Sequence, residues 1–229
     1  MSSIDYAALV AAPDRAESDR SFDGQRKPAE LLAFLGVKPG MKVGELVAGT
    51  GYTTELLARA VGPQGTVHAQ NPAFILQLFA AKPWADRLAR PGNACVVRAD
   101  REIEEPFPPE IRDLDLMVSF GIYHDAAGVF RTDRARMNAS VFAALKQGGH
   151  YAVLDSSARA GTGAADAGTL HRIDEQLVQR EVEMAGFRLE RSGDFLRNPA
   201  DARDWDASPR AAGARRGTGD RFALMFLKP

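Results

Sequence analysis

Gly-Glu-Leu-Val-Ala-Gly-Thr-Gly-Tyr, Gly44 to Tyr52, is the stretch on which the reading of this chain turns. It ends the apolar run Met41 to Val47, which predicts a short buried strand. After it, the spacing of apolar residues from Thr53 to Val61 predicts a helix that Gly62-Pro63 stops. Glycines at such a junction let the backbone approach a ligand closely, and the first helical N–H groups supply donors. Glycine also serves strand-to-helix turns for geometry alone, so the loop by itself names no ligand.

Outward from this loop, strands and helices alternate. Thr66 to Gln70, Ala94 to Arg98, Leu114 to Phe120 and Tyr151 to Leu154 read as strands. Phe74 to Leu88 and Asp133 to Leu145 read as helices, the second capped by Gly148-Gly149. Leu114 to Phe120 is almost wholly apolar and therefore central. Alternation of this kind predicts an α/β fold, a parallel sheet with helices on both faces. Beyond a helix over Arg172 to Ala185, Phe187 to Arg191 and Phe222 to Leu227 have no crossover helix between them. They predict an antiparallel pair at the sheet edge. Residues 1–27 read as a polar arm, ahead of a helix that Pro28 opens and Gly36 stops. Residues 28–229 then form one domain. Within it, 157–168 and 198–219 read as lid segments or as plain surface loops.

Composition narrows the function classes. The chain has 229 residues, one cysteine, and 29 basic against 30 acidic residues. Near-balance argues against nucleic acid as the main partner. A single cysteine, Cys95, excludes a disulfide framework, and no His, Asp and Glu spacing suggests a metal site. No apolar run reaches the roughly twenty residues of a membrane span, and Asp5 sits where a signal peptide would be basic. The expectation is a cytoplasmic protein without a membrane partner that acts on a small molecule, and a homodimer is allowed.

Two ligands suit the loop, a dinucleotide and S-adenosylmethionine. The dinucleotide pattern asks for a third glycine, where Thr54 stands, and an acidic residue about twenty positions on, where Gln70-Asn71 stands. Glu45 would repel a pyrophosphate but suits the cationic amino group of an amino-acid ligand. The segment resembles motif I of class I S-adenosylmethionine-dependent methyltransferases, acidic-x-Gly-x-Gly-x-Gly. Glu45, Gly49 and Gly51 match, and Val47 replaces the first glycine. Val96 to Phe107 resembles the family's third strand and its acidic adenine contact. Leu114 to Asp125 resembles the fourth strand and the loop at the methyl-transfer site. Lys146 to Leu154 resembles the turn into strand five, and Leu170 to Asp174 resembles a bacterial branch described as predicted methyltransferases.

The resemblance implies a Rossmann-like class I methyltransferase fold, with a mostly parallel seven-stranded sheet and an antiparallel edge strand. It implies S-adenosyl-L-methionine as cofactor, held by Glu45, Ala48, Gly49, Thr50, Gly51, Tyr52, Gln70, Asn71, Asp100, Arg101, Ser119 and Phe120. The amides of Gln70 or Asn71 then replace the family's acidic ribose contact.

His124, past the central strand, is the candidate base, with Tyr123 and Asp125 to orient it or the acceptor. Local loop-holding is its alternative role. His171 is a second base or a substrate contact. Arg172 and Arg197 can clamp a carboxylate or phosphate, unless Asp174 or Asp201 neutralises them. His68 and His150 read as structural. The absence of Asn-Pro-Pro-aromatic after strand four argues against methylation of DNA bases and glutamine side chains. Alternatives to a methyltransferase on an O-, N- or S-nucleophile are an NAD(P)-dependent Rossmann oxidoreductase and a non-catalytic S-adenosylmethionine-binding module.

Overall fold

Burial on both sides of a strand marks the centre of a sheet, and β4 (Leu114–Phe120) has it: Leu114, Leu116, Met117, Val118 and Ser119 are all buried. A computed structural model describes residues 4–229. In it β1 (Lys42–Leu46), β2 (Thr66–Asn71), β3 (Val96–Asp100), β4, β5 (Leu145–Ser156), β6 (Arg188–Gly193) and β7 (Arg221–Leu227) form one seven-stranded sheet of order β3-β2-β1-β4-β5-β7-β6. The first five strands run parallel. β7 is antiparallel to both neighbours, β5 and β6, and β6 forms the edge of the sheet. The carboxyl ends of β1, β2, β4 and β5 therefore point to one edge, where open α/β sheets bind ligands.

The helices in chain order are α1 (Tyr6–Val10), α2 (Glu17–Arg20), α3 (Asp23–Arg26), α4 (Pro28–Leu35), α5 (Tyr52–Val61), α6 (Ala73–Ile75), α7 (Ala81–Leu88), α8 (Tyr123–Gly128), α9 (Arg134–Ala144) and α10 (Glu175–Met184). Strand alternation sends Val43, Val67, Leu116, Val118, Ala152 and Met225 to the face covered by α4, α5 and α7. Met117, Tyr151, Val153, Leu224 and Phe226 go to the face covered by α9 and α10. Each fully buried Val, Leu or Phe contributes about 1.5–3 kcal/mol, so the two cores dominate stability.

The N-terminal arm is three short helices tied to the domain. Arg15 pairs with Asp23 at 2.6 Å, and the Tyr52 hydroxyl donates to Asp23 at 2.6 Å. Tyr6 donates to the Val37 carbonyl at 2.7 Å.

Four elements depart from the sequence reading. The helix over 74–88 is interrupted by a π-helical turn at Leu76–Ala80, because Pro83 lacks the N–H that an α-helix would donate to Phe79. β5 starts at Leu145, so Gly148-Gly149 lies inside the strand, where the β4–β5 register shifts, and does not cap a helix. β3 runs two residues later than its apolar run suggests. α10 starts at Glu175 because His171 takes φ 50°, outside helical space, and Asp174 caps the helix by accepting from the Gln176 N–H.

Candidate functional site

The glycine loop leaves β1 through three left-handed residues, Val47 (φ 47°), Gly49 (φ 58°) and Gly51 (φ 84°). A β-branched residue in that region is strained, and it persists where surrounding bonds over-determine it. They do so here. The Gln70 side chain accepts from the Val47 N–H at 2.9 Å. The Asn71 amide accepts from the Gly49 N–H at 2.8 Å and donates to the Gly49 carbonyl at 3.1 Å. From the other side Arg87 donates to the Thr50 carbonyl at 2.5 Å while pairing with Asp19 and Glu55. Both amides at the end of β2 thus hold the loop, and Gln70 also donates to the Arg101 carbonyl.

Gly49 and Gly51 differ in what they face. A Cβ at Gly49 would meet open space, so this backbone is open to a ligand. A Cβ at Gly51 would lie 2.5 Å from Arg87 Cδ and 2.6 Å from the Trp84 ring. Gly51→Ala combines left-handed strain with overpacking against buried Trp84. It should destabilise the fold by about 2 kcal/mol in urea unfolding. Stability equal to wild type would show that the loop is looser than described.

Glu45, at the carboxyl end of β1, is buried and receives the Thr54 hydroxyl at 2.5 Å. No ion pair within 4 Å neutralises it among the described residues. Burial pushes its pKa up to about 7, against the opposing pull of the Thr54 bond and the more distant Arg26 and Arg87 charges. A buried carboxylate without a cation, beside an open glycine backbone, fits the ammonium and main-chain groups of an amino-acid-bearing ligand such as S-adenosylmethionine.

At the ends of β4 and β5 a second cluster forms. Asp155, fully buried, accepts from the His124 backbone N–H at 2.9 Å and lies 2.6 Å from His124 Nδ1. Asp125 lies 3.3 Å from His124 Nε2. His171 stacks edge-on against His124, with ring centroids 5.6 Å apart, and its Nδ1 is 2.9 Å from Asp206. Burial would lower the pKa of His124, but the Asp155 and Asp125 carboxylates outweigh it and raise it to about 10. Both carboxylates favour the protonated imidazole, and both ring nitrogens face a carboxylate.

The remaining candidates divide by placement. Tyr52 starts α5 with its ring under the Arg26 guanidinium at 4.6 Å, and Phe120 lies 5.6 Å from the same guanidinium. Ala48 and Thr50 belong to the loop. Ser119 is buried within β4, opposite Leu46 and Val153. Asp100 is exposed and paired with Arg98 at 2.7 Å. Beyond it, Glu102 and Ile103 line a cavity of about 260 Å³ shared with Pro72, Phe74 and Phe130. Tyr123 points into the helical layer, bonded to Asn138 at 2.7 Å and Glu181 at 3.0 Å, and does not reach the cluster around His124.

Neither arginine offered as an anion clamp is free. Arg172 is fully buried against Asp201 at 2.9 Å, the Ser157 and Trp205 carbonyls and the Trp205 ring. Arg197 pairs with Glu175 at 2.6 Å. Asp201 in place of an external carboxylate is the reason: it lies in segment 198–219, which folds back over Ser157.

Sequence reasoning passed over Asp155, Asp206, Arg26 and Arg221. Asp155 carries the same signal as Glu45, a carboxylate ending an apolar strand. The other three come from a loop, a helix and the start of β7, whose meeting has no local signature.

No protein-family model matches the chain. It is 33% identical over 122 residues to the ubiquinone/menaquinone biosynthesis C-methyltransferase UbiE of Psychromonas ingrahamii, covering 53% of this chain and 45% of that protein. The chain thus spans about half the length of the curated relatives it matches. Among solved structures, a SAM-dependent methyltransferase from Aquifex aeolicus superposes with TM-score 0.64 at 17% identity, over 99% of this chain and 100% of that one. Aeropyrum pernix fibrillarin, solved with natively bound S-adenosyl-L-methionine, superposes with TM-score 0.57 at 12% identity, over 89% and 74%. Strand order and the antiparallel β7 agree with these comparisons, and the chain has the Rossmann-like fold of the S-adenosylmethionine-dependent methyltransferases it is similar to.

Proposed function

We propose that this protein is an S-adenosylmethionine-dependent methyltransferase acting on a small-molecule acceptor. The observation that carries this reading is the pairing of buried Glu45, without a cation, with an adjacent loop whose Gly49 backbone is open. When bound, the cofactor would supply an electrophilic methyl group on a sulfonium, which the acceptor's nucleophile would take in line as the C–S bond breaks and S-adenosylhomocysteine leaves as a neutral thioether. The chain supplies placement, which alone is worth up to about 7–11 kcal/mol of barrier.

In this reading Glu45 receives the methionine ammonium, and Ala48, Gly49, Thr50 and Gly51 offer main-chain groups to the same end. Gln70 and Asn71 act by holding the loop. Asp100, Arg101 and the cavity beyond them take the adenosine end, and Phe120 with Tyr52 forms the wall nearest the methyl. His171, half-buried and beside Asp206, is the group that takes the acceptor's proton. His124, fixed as a cation between Asp155 and Asp125, positions His171 and the loop after β4. UbiE relatives are named as C-methyltransferases, so carbon joins oxygen, nitrogen and sulfur as the accepting atom.

Calorimetric titration with S-adenosylhomocysteine and with NAD tests the reading. Micromolar binding of the first and none of the second is expected. Tighter binding of NAD would sink it in favour of an oxidoreductase. Cofactor binding without transfer of label to any fractionated cell metabolite would leave a binding module.

A further inference from the structure

We propose that Arg26, Arg216 and Arg221 form an anion-binding subsite at the mouth of this cleft, so that the methyl acceptor carries a carboxylate or phosphate group. The inference rests on the methyltransferase reading for the word acceptor, but not for the anion site itself.

The three side chains come from distant parts of the chain: Arg26 and Arg216 lie over one aromatic floor, and Arg221 joins them from the start of β7. Arg26 ends α3 and lies 4.6 Å above the Tyr52 ring and 5.7 Å from the Phe22 ring. Arg216, on segment 198–219, lies 4.8 Å above the same Phe22 ring. Arg221 opens β7 opposite Ser156 and donates to the carbonyl of Gln25, the residue before Arg26. Gly217 packs against the Gln25 side chain, which brings this segment onto α3. The cluster is therefore roofed by α3 and by the loop before β7, and it stands beside Phe120 at the end of β4.

None of the three has a carboxylate within 4 Å among the described residues, although Arg26 and Arg221 are partly buried and only Arg216 is exposed; the chain's buried arginines are treated otherwise. Arg15, Arg87 and Arg172 face Asp23, Asp19 and Asp201 at 2.6, 2.7 and 2.9 Å. The carboxylates nearest Arg221 are committed elsewhere, Asp155 to His124 and Asp220 to Arg203 at 2.8 Å. Burial, and then the charge of Arg26, pull Arg221 down to about 10, and burial lowers Arg26 as well. Like charges gathered in a half-buried place raise the energy of the ligand-free state, and a bound anion relieves it. Guanidiniums stacked on aromatic rings also keep their N–H edges free to fork onto a carboxylate or phosphate. One carboxylate, such as the cofactor's own, takes one such fork and leaves the remaining guanidiniums for the acceptor.

Calorimetry with benzoate, benzamide and inorganic phosphate, with and without saturating S-adenosylhomocysteine, tests this. Benzoate and phosphate should bind in both conditions and benzamide should not. Arg221→Met and Arg216→Ala should each weaken anion binding about tenfold, while S-adenosylhomocysteine affinity stays within about threefold. Arg26→Lys, which keeps the charge but loses the planar fork, should weaken anion binding less than the charge-removing variants do, and thermal melts of all variants establish that they fold. Absence of benzoate and phosphate binding would overturn the proposal. So would equal binding of benzamide, or displacement of the anions by S-adenosylhomocysteine with parallel loss of its affinity in the variants. Anion binding without any S-adenosylhomocysteine binding would leave the subsite standing and remove the methyltransferase reading.

Discussion

Glu45→Gln should make the protein more stable at pH 8 by about 3 kcal/mol, and at the same time weaken S-adenosylhomocysteine binding about 10- to 100-fold. In the unfolded chain this carboxyl titrates near 4.5, whereas burial raises it to about 7 in the fold. The folded state therefore binds more protons between these values. Its stability is fully present below pH 4.5 and is lost as pH rises through 7, because ionisation then places an uncompensated charge in the interior. A neutral amide of the same shape keeps an acceptor for the Thr54 hydroxyl and removes the charge. The gain over wild type should vanish near pH 4, where both side chains are neutral. Urea unfolding at pH 4 and pH 8 reads the effect. A variant less stable than wild type at pH 8 would mean that Glu45 already has a cationic partner. The opposed changes in stability and affinity identify a group kept in spite of its cost to the fold, as binding sites often are.

Asp155→Asn should destabilise the fold by about 3–5 kcal/mol at pH 7, because it leaves the buried His124 imidazolium without its principal counter-charge. The same change should bring the His124 titration, followed by NMR of the imidazole ring, from about 10 to below neutrality. The sign for wild type follows from a folded pKa raised above the ordinary histidine value of 6.5. Stability from this pair is fully present below pH 6.5 and declines as pH rises through 10. Asp125→Asn, at the longer 3.3 Å contact, should move the titration less. An unchanged His124 titration in Asp155→Asn would show that the carboxylate does not set its charge. Loss of turnover with intact S-adenosylhomocysteine binding is the expected functional result, since the pair holds the loop after β4 and the neighbouring His171.

How much of this was legible in the chain depends on range. Periodicity within ten residues located β4 to the residue and β1, β2 and β7 within one, because apolar runs bounded by glycine and proline are local signals. The break in the 74–88 helix was also local, at Pro83, and the helical pattern of its apolar residues concealed it. The site was half legible. Glu45 and the glycine loop stand together in the sequence and in space. His124 reads as a base from its position after the central strand, whereas its pairing with the carboxylate of Asp155, 31 residues on, comes from packing and has no sequence signal. Arg172 and Arg197 read as free cations because their carboxylates, Asp201 and Glu175, are supplied by packing.

By itself, then, the stretch Gly44 to Tyr52 with its flanking alternation determined an α/β sheet, a ligand loop at its carboxyl edge and an acidic residue beside it. Those follow from hydrophobic period and backbone freedom, both properties of short segments. Only the tertiary structure decided which charges are paired. Asp155 meets His124 across β4 and β5, and Arg26 meets Arg221 across nearly the whole chain. Protonation and ligand preference depend on desolvation and on charges a few ångströms away, and the sequence distance between those groups carries no trace of either.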